Sequence, residues 1–264
     1  MRTIFSSLLI LLLFTSAFSQ QLKRTETVQL NDTQMYYEVY GEGEPLILLH
    51  GYTLSSKYWL PYITDFAERY EVYLIDLPGH GRSGPFKIDF SLKWITEDVN
   101  ALINHLELSD INAIGYSYGG DVLYQLASIN PDLIETMITI GSSPNRIGTD
   151  VFPELIETFT VENMDNLDWI PAYQLSEENI KVMLTEFPKY NSTMTNEQLK
   201  RIKSRVLIIV GDDDPFVPLE IVMNVRNLLQ NSDLLILPNS GHGAHEGEYK
   251  DFFITTAIKY LEAK

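Results

Sequence analysis

Strand-like runs over Thr25–Leu30 and Gln34–Tyr40 flank Asn31-Asp32, a pairing that predicts a β-hairpin. Beyond it lie short unbroken apolar runs of the kind that strands buried on both faces require: Leu46–Leu49, Val72–Ile75, Ile111–Ile114, Met137–Ile140, Val206–Val210 and Leu234–Leu237. Segments of helical period separate most of them, over Ser55–Tyr70, Ser91–Leu106, Gly119–Ile129, Leu219–Leu229 and Tyr249–Leu261. Strand alternating with helix predicts an α/β fold: a mostly parallel sheet with helices on both faces.

Two stretches fall outside this alternation. Asn145–Ser204 holds helical fragments, Pro153, Pro171 and Pro188, and no strand pattern, so it is expected to be a small helical cap inserted over one end of the sheet. Its aromatics Phe159, Trp169, Tyr173 and Phe187 serve either as its packing onto the body or as a roof over a pocket. At the other anomaly, Arg2 precedes an apolar run from Ile4 to Phe14 broken only by Ser6 and Ser7, and Ala17-Phe18-Ser19 follows as a small-residue cleavage site. That order predicts a secretory signal peptide over 1–19, with the remaining domain at 20–264 secreted or periplasmic. The run is well short of the ~20 residues that span a bilayer, so no stable membrane anchor is expected.

Composition narrows the partners. The chain has 264 residues, enough for one α/β domain with a modest insertion, and 45% apolar content places it among globular chains. Its 19 Lys and Arg against 36 Asp and Glu leave a formal charge of −17, which repels nucleic acid and polyanionic substrates. It has no cysteine, so an exported form relies on its core alone.

The chemistry centres on Gly115-Tyr116-Ser117-Tyr118-Gly119, placed directly after an apolar run and before a helical segment. This is G-x-S-x-G in its strand–turn–helix context. Glycines two residues either side of the serine let strand and helix approach, and the helix N-terminus favours negative charge developing beside Ser117.

With its neighbours this motif resembles the α/β-hydrolase superfamily over about Tyr36–Leu261. His50-Gly51-Tyr52 resembles the family's oxyanion loop, and Asp76-Leu77-Pro78-Gly79-His80-Gly81-Arg82-Ser83 its Pro-Gly loop. Gly211-Asp212-Asp213-Asp214-Pro215-Phe216-Val217-Pro218 resembles the acid-bearing loop, and Ser240-Gly241-His242-Gly243 the histidine loop. The order Ser, Asp, His is that of the fold's triad. The resemblance implies an α/β-hydrolase fold with Ser117 as nucleophile, His242 as base, and the backbone N–H groups of Tyr52 and Tyr118 as oxyanion donors. It selects Asp214 as the acid, three residues after Gly211 and four before Pro218. Alternation along an extended segment turns Asp212 and Asp214 the same way and leaves Asp212 as a competitor.

Other residues suit structural roles. His50, Asp76, His80 and Arg82 brace their loops, His105 is a surface or partly buried helix residue, and Asp121 complements a helix dipole. His242 and His245 lack the inward carboxylate that a metal pair needs. No metal or cofactor enters the expected reaction. A serine nucleophile argues against haloalkane dehalogenases and most epoxide hydrolases, which carry Asp there. Against the related menaquinone-pathway synthase, Asp121 stands where an Arg is expected. The expected activity is hydrolysis of a small or medium carboxylic ester through an acyl-enzyme. Tyr116, Phe216 and Trp169 are candidate substrate contacts. The alternatives are a carbon–carbon bond hydrolase of the same fold and a slow-turnover ligand-binding receptor.

Overall fold

The computed structural model describes residues 22–85, 91–142, 144 and 153–263. The expected signal peptide lies outside them, as do residues 145–152 of the insertion. β1 (Leu22–Leu30) and β2 (Thr33–Tyr40) form the antiparallel hairpin, turning through Asn31. There follow β3 (Glu44–Leu49), α1 (Ile63–Ala67), β4 (Tyr70–Asp76), α2 (Leu92–His105), β5 (Ile111–Tyr116), α3 (Tyr118–Ile129) and β6 (Ile134–Ile140). The insertion contributes α4 (Pro153–Thr158), α5 (Ile170–Tyr173), α6 (Glu177–Glu186) and α7 (Asn196–Arg201). The chain closes with β7 (Arg205–Gly211), α8 (Leu219–Leu228), β8 (Ser232–Leu237) and α9 (Lys250–Glu262).

The eight strands lie in the order β1-β2-β4-β3-β5-β6-β7-β8, antiparallel only at β1–β2 and β2–β4. The chain belongs to the α/β class by this topology. Side chains alternate across each strand, so every apolar run feeds two cores. On one face Ile47, Leu49, Ile75, Ala113, Met137 and Ile208 meet residues of α2, α3 and α8, such as Leu102, Val122 and Val225. On the other, Leu46, Leu48, Leu74, Ile114, Ile138 and Ile209 pack with Trp59, Phe66 and Phe253. The Phe66 and Phe253 rings meet edge to face with centroids 6.3 Å apart and are almost wholly buried. Truncating either to Ala costs about 3–5 kcal/mol.

Two expectations need correction. The helix expected over Ser55–Tyr70 is a 3₁₀ segment, Ser56–Tyr62, followed by the short α1, and Tyr70 already belongs to β4. Pro61 has no N–H to give, which prevents a continuous α-helical ladder there. β8 is not buried on both faces: it is the outermost strand, and Asp233 and Ile236 are exposed. The described part of the insertion is helical and divides between two cores. Leu167, Ile170, Ile180 and Leu184 form a small core of its own. From Tyr190 onward, Met194, Leu199 and Ile202 sink into the main core, so the separate part ends near Lys189. Among the described residues no helix is long and apolar enough to cross a membrane.

Candidate active site

Five loops at the C-terminal ends of β3, β4, β5, β7 and β8 converge here. Ser117 occupies the junction of β5 and α3 with φ 49° and ψ −114°, a backbone conformation that costs an L-residue on the order of 1–3 kcal/mol. The junction is held by Ser117 N donating to Ile140 O at 2.7 Å, and by Gly120 N and Asp121 N donating to Ser117 O. Close approach explains the flanking glycines. A Cβ on Gly115 would lie 2.6 Å from Gly119 C and Gly120 N, and one on Gly119 would collide with the Leu49 carbonyl.

His242 stands between the serine and a carboxylate. Its Nε2 is 2.8 Å from Ser117 Oγ, and its Nδ1 is 2.9 Å from Asp214 Oδ2 and 3.1 Å from Oδ1. The Asp214 side chain is fully buried, whereas Asp212 and Asp213 are exposed residues. Asp214 Oδ1 also accepts from Phe216 N at 2.8 Å and Val217 N at 3.1 Å, which stabilise its charge without a cation. Asp212 accepts from Ser240 N at 3.3 Å instead. A carboxylate facing Nδ1 favours the tautomer with its proton there, leaving Nε2 as the acceptor facing Ser117.

The imidazole is wedged between the Phe216 ring, edge-on at 4.8 Å, and the Tyr116 ring at 5.2 Å. Gly141, at the end of β6 with φ 54°, backs onto it; a Cβ there would lie 3.0 Å from His242 Nδ1. Behind Tyr116, His245 is wholly buried, its Nε2 3.0 Å from the Tyr58 hydroxyl, which in turn donates to Glu246. Burial, with the neighbouring His242, pushes the His245 imidazole down to about 3. Glu246 thus holds the histidine loop through Tyr58.

The loop after β3 is braced as well. His50 Nδ1 is 2.8 Å from Gly51 O, and its Nε2 accepts from Leu77 N at 3.0 Å. Burial keeps both His50 and His80 below the usual imidazole range. Asp76 accepts from Ser56 N at 2.6 Å and Arg82 N at 2.8 Å, tying the two loops together. The Arg82 side chain leaves the loop for Glu38 and Tyr36 on β2. Asp121 is buried, accepting from Ser142 Oγ at 2.8 Å and from the Tyr190 hydroxyl, so its place is more than dipole compensation. His105 is exposed.

A cavity of about 430 Å³ opens over Ser117 and His242. Tyr52, Tyr116, Tyr118, Trp169 and Phe216, expected from the sequence as oxyanion donors or substrate contacts, all line it. The insertion adds Phe159 and Phe187, stacked at 5.0 Å, and Tyr190 closes another side. No Lys, Arg, Asp or Glu is found among the described lining residues. Burial raises the phenols of Tyr52, Tyr116 and Tyr118, so all three are neutral walls, not bases. Phe159, Phe187 and Tyr190 could not be assigned to the cavity from sequence, because aromatic residues in a helical insertion pack onto the body equally well.

The sheet order, the strand-to-helix turn at Ser117 and the converging loops define a hydrolase scaffold, and the chain belongs to the alpha/beta hydrolase fold family. The model of that family matches residues 44–182, and the model described as TAP-like protein matches residues 182–263. The pimeloyl-[acyl-carrier protein] methyl ester esterase of Aeromonas hydrophila subsp. hydrophila is 36% identical over 118 residues, 44% of this chain and 44% of that enzyme. The chain therefore matches under half the length of that relative. The (E)-2-((N-methylformamido)methylene)succinate hydrolase of Acinetobacter baylyi is 25% identical over 242 residues, 83% of this chain and 91% of that protein. Among solved structures, the enol-lactonase from Burkholderia xenovorans LB400 gives a TM-score of 0.78 over 90% of this chain and 100% of that one. At 18% identity that is a likeness of fold. The relatives are named as an esterase and a hydrolase, which supports a hydrolase here.

Proposed function

We propose that the chain is an exported serine esterase that hydrolyses small or medium carboxylic esters with an uncharged, apolar acyl group. The observation that carries this reading is the Ser117 hydroxyl 2.8 Å from His242 Nε2 at the floor of an aromatic cavity. Ser117 Oγ attacks the ester carbonyl while His242 Nε2 takes its proton, and Asp214 stabilises the resulting imidazolium. The tetrahedral oxyanion is received by the backbone N–H groups of Tyr52 and Tyr118. Collapse expels the alcohol, protonated by His242, and leaves the acyl group on Ser117. Water, deprotonated by His242, then attacks the acyl-enzyme and releases the acid.

Charge supports the choice of substrate. A carboxylate-bearing acyl group would lose its hydration in a cavity whose described lining offers no cation, inside a protein of formal charge −17. Export rests on the residue order from Arg2 to Ser19.

Hydrolysis of p-nitrophenyl esters from acetate to decanoate, run beside fluorophosphonate labelling with peptide mapping, tests the reading. Turnover with the label on Ser117 is the expected result. A thermal-shift ligand without turnover or labelling would mark a receptor and overturn it. Cleavage of a vinylogous carbon–carbon substrate with esters untouched would overturn it too.

A further inference from the structure

Thr53 sits in the oxyanion-type loop with φ 65°, a left-handed conformation that a β-branched residue holds only under constraint. The loop holds itself in part, Thr53 Oγ1 donating to Tyr52 O at 2.6 Å and Leu54 N to Gly51 O at 3.2 Å, and the insertion adds a further hold. Gln174 follows α5 in extended conformation and is buried. Its Nε2 donates to Thr53 O at 2.9 Å and to Leu54 O at 2.8 Å, and its Oε1 accepts from Gly81 N at 2.9 Å. Two carbonyls on one side and an N–H on the other fix the amide's orientation without ambiguity. A second tether runs the same way, from the Tyr52 hydroxyl to Met183 O on α6 at 2.8 Å.

We propose that Gln174 is a positioning residue for the hydrolytic reaction: the insertion uses its amide to hold Thr53 and Leu54, and so aims the neighbouring Tyr52 N–H at the oxyanion. This rests on the esterase reading above. Only a glutamine-length amide meets all three partners. Methionine fills the space without hydrogen bonds, and glutamate turns an acceptor toward two acceptors. The body holds the other side of the same loops through Asp76, which receives Ser56 N and Arg82 N. The insertion and the body therefore clamp the loop between them, and the roof of the cavity is coupled to the charge-stabilising step.

The test compares wild type, Gln174→Met and Gln174→Glu in three measurements: kcat and KM on p-nitrophenyl butyrate, thermal unfolding, and amide hydrogen exchange over residues 51–56. Both variants are expected to lose kcat by on the order of tenfold or more, with KM within about twofold and faster exchange in that peptide. If one variant does not fold, the other carries the same comparison. Wild-type kcat in a folded variant, a loss confined to KM, or unchanged exchange over 51–56 would overturn the proposal. If the wild type hydrolyses no ester, the esterase reading fails by itself. Exchange then still decides whether Gln174 clamps the loop: faster exchange supports the clamp and unchanged exchange overturns it.

Discussion

Asp214 Oδ2 lies 2.9 Å from His242 Nδ1, and its side chain is inaccessible to solvent. Three consecutive aspartates therefore occupy three different environments. Asp214 is directed at the imidazole, Asp212 accepts a backbone N–H of the histidine loop, and Asp213 is exposed. Asp214→Asn is expected to reduce kcat by roughly a hundredfold or more, because it removes the charge that stabilises imidazolium. Asp213→Asn is expected to cost less than about twofold, in line with an exposed surface substitution. Steady-state kinetics on the three Asp→Asn variants, with folding checked by circular dichroism, decides the assignment. A collapse confined to Asp212→Asn would reassign the acid.

Trp169 lines the cavity yet keeps 40% of its surface exposed. Its ring lies 5.9 Å from Phe159, which stacks on Phe187. Trp169→Ala is expected to change the ranking of short against long acyl esters while moving the unfolding temperature by only a few degrees, since a half-exposed ring contributes little to the core. An unchanged chain-length profile would make Trp169 a packing residue.

Acid is expected to weaken the fold through its buried histidines. The His245 imidazole, ordinarily near 6.5, is held at about 3 in the folded protein. Between those values the unfolded chain carries a proton there that the folded chain does not, so stability falls as pH drops from about 6.5 toward 3. His50 and His80 are lowered as well and act in the same direction. Thermal unfolding of wild type and His245→Phe across this range is expected to show a shallower acid loss in the variant. Equal slopes would show that His245 is not the group titrating.

Much of this arrangement was legible in the chain. Apolar runs such as Leu46–Leu49 and Ile111–Ile114 gave the buried strands, because a strand covered on both faces tolerates no polar alternation. The G-x-S-x-G pattern carried its own steric reason, seen in the collision a Cβ on Gly119 would make with Leu49 O. Other features depended on tertiary packing that no local pattern encodes. β8 reads like its neighbours but is outermost. Periodicity equated Asp212 with Asp214; the family resemblance chose Asp214 by its spacing, and the turn of the loop, with Asp214 N donating to Gly211 O at 3.3 Å, parts the two side chains. Gln174 is an ordinary polar residue until the fold brings it to carbonyls some 120 positions away. Glu246 likewise acquires its role from Tyr58, on a distant 3₁₀ segment.

The proposed reaction depends on Ser117. Ser117→Ala removes one oxygen from a turn whose backbone bonds to Ile140 O and Asp121 N do not involve the hydroxyl. Its kcat on p-nitrophenyl butyrate, measured on protein with a wild-type circular dichroism spectrum, is expected to fall by at least about a thousandfold. A kcat within about tenfold of wild type would contradict nucleophilic catalysis by Ser117, since triad members act as a unit.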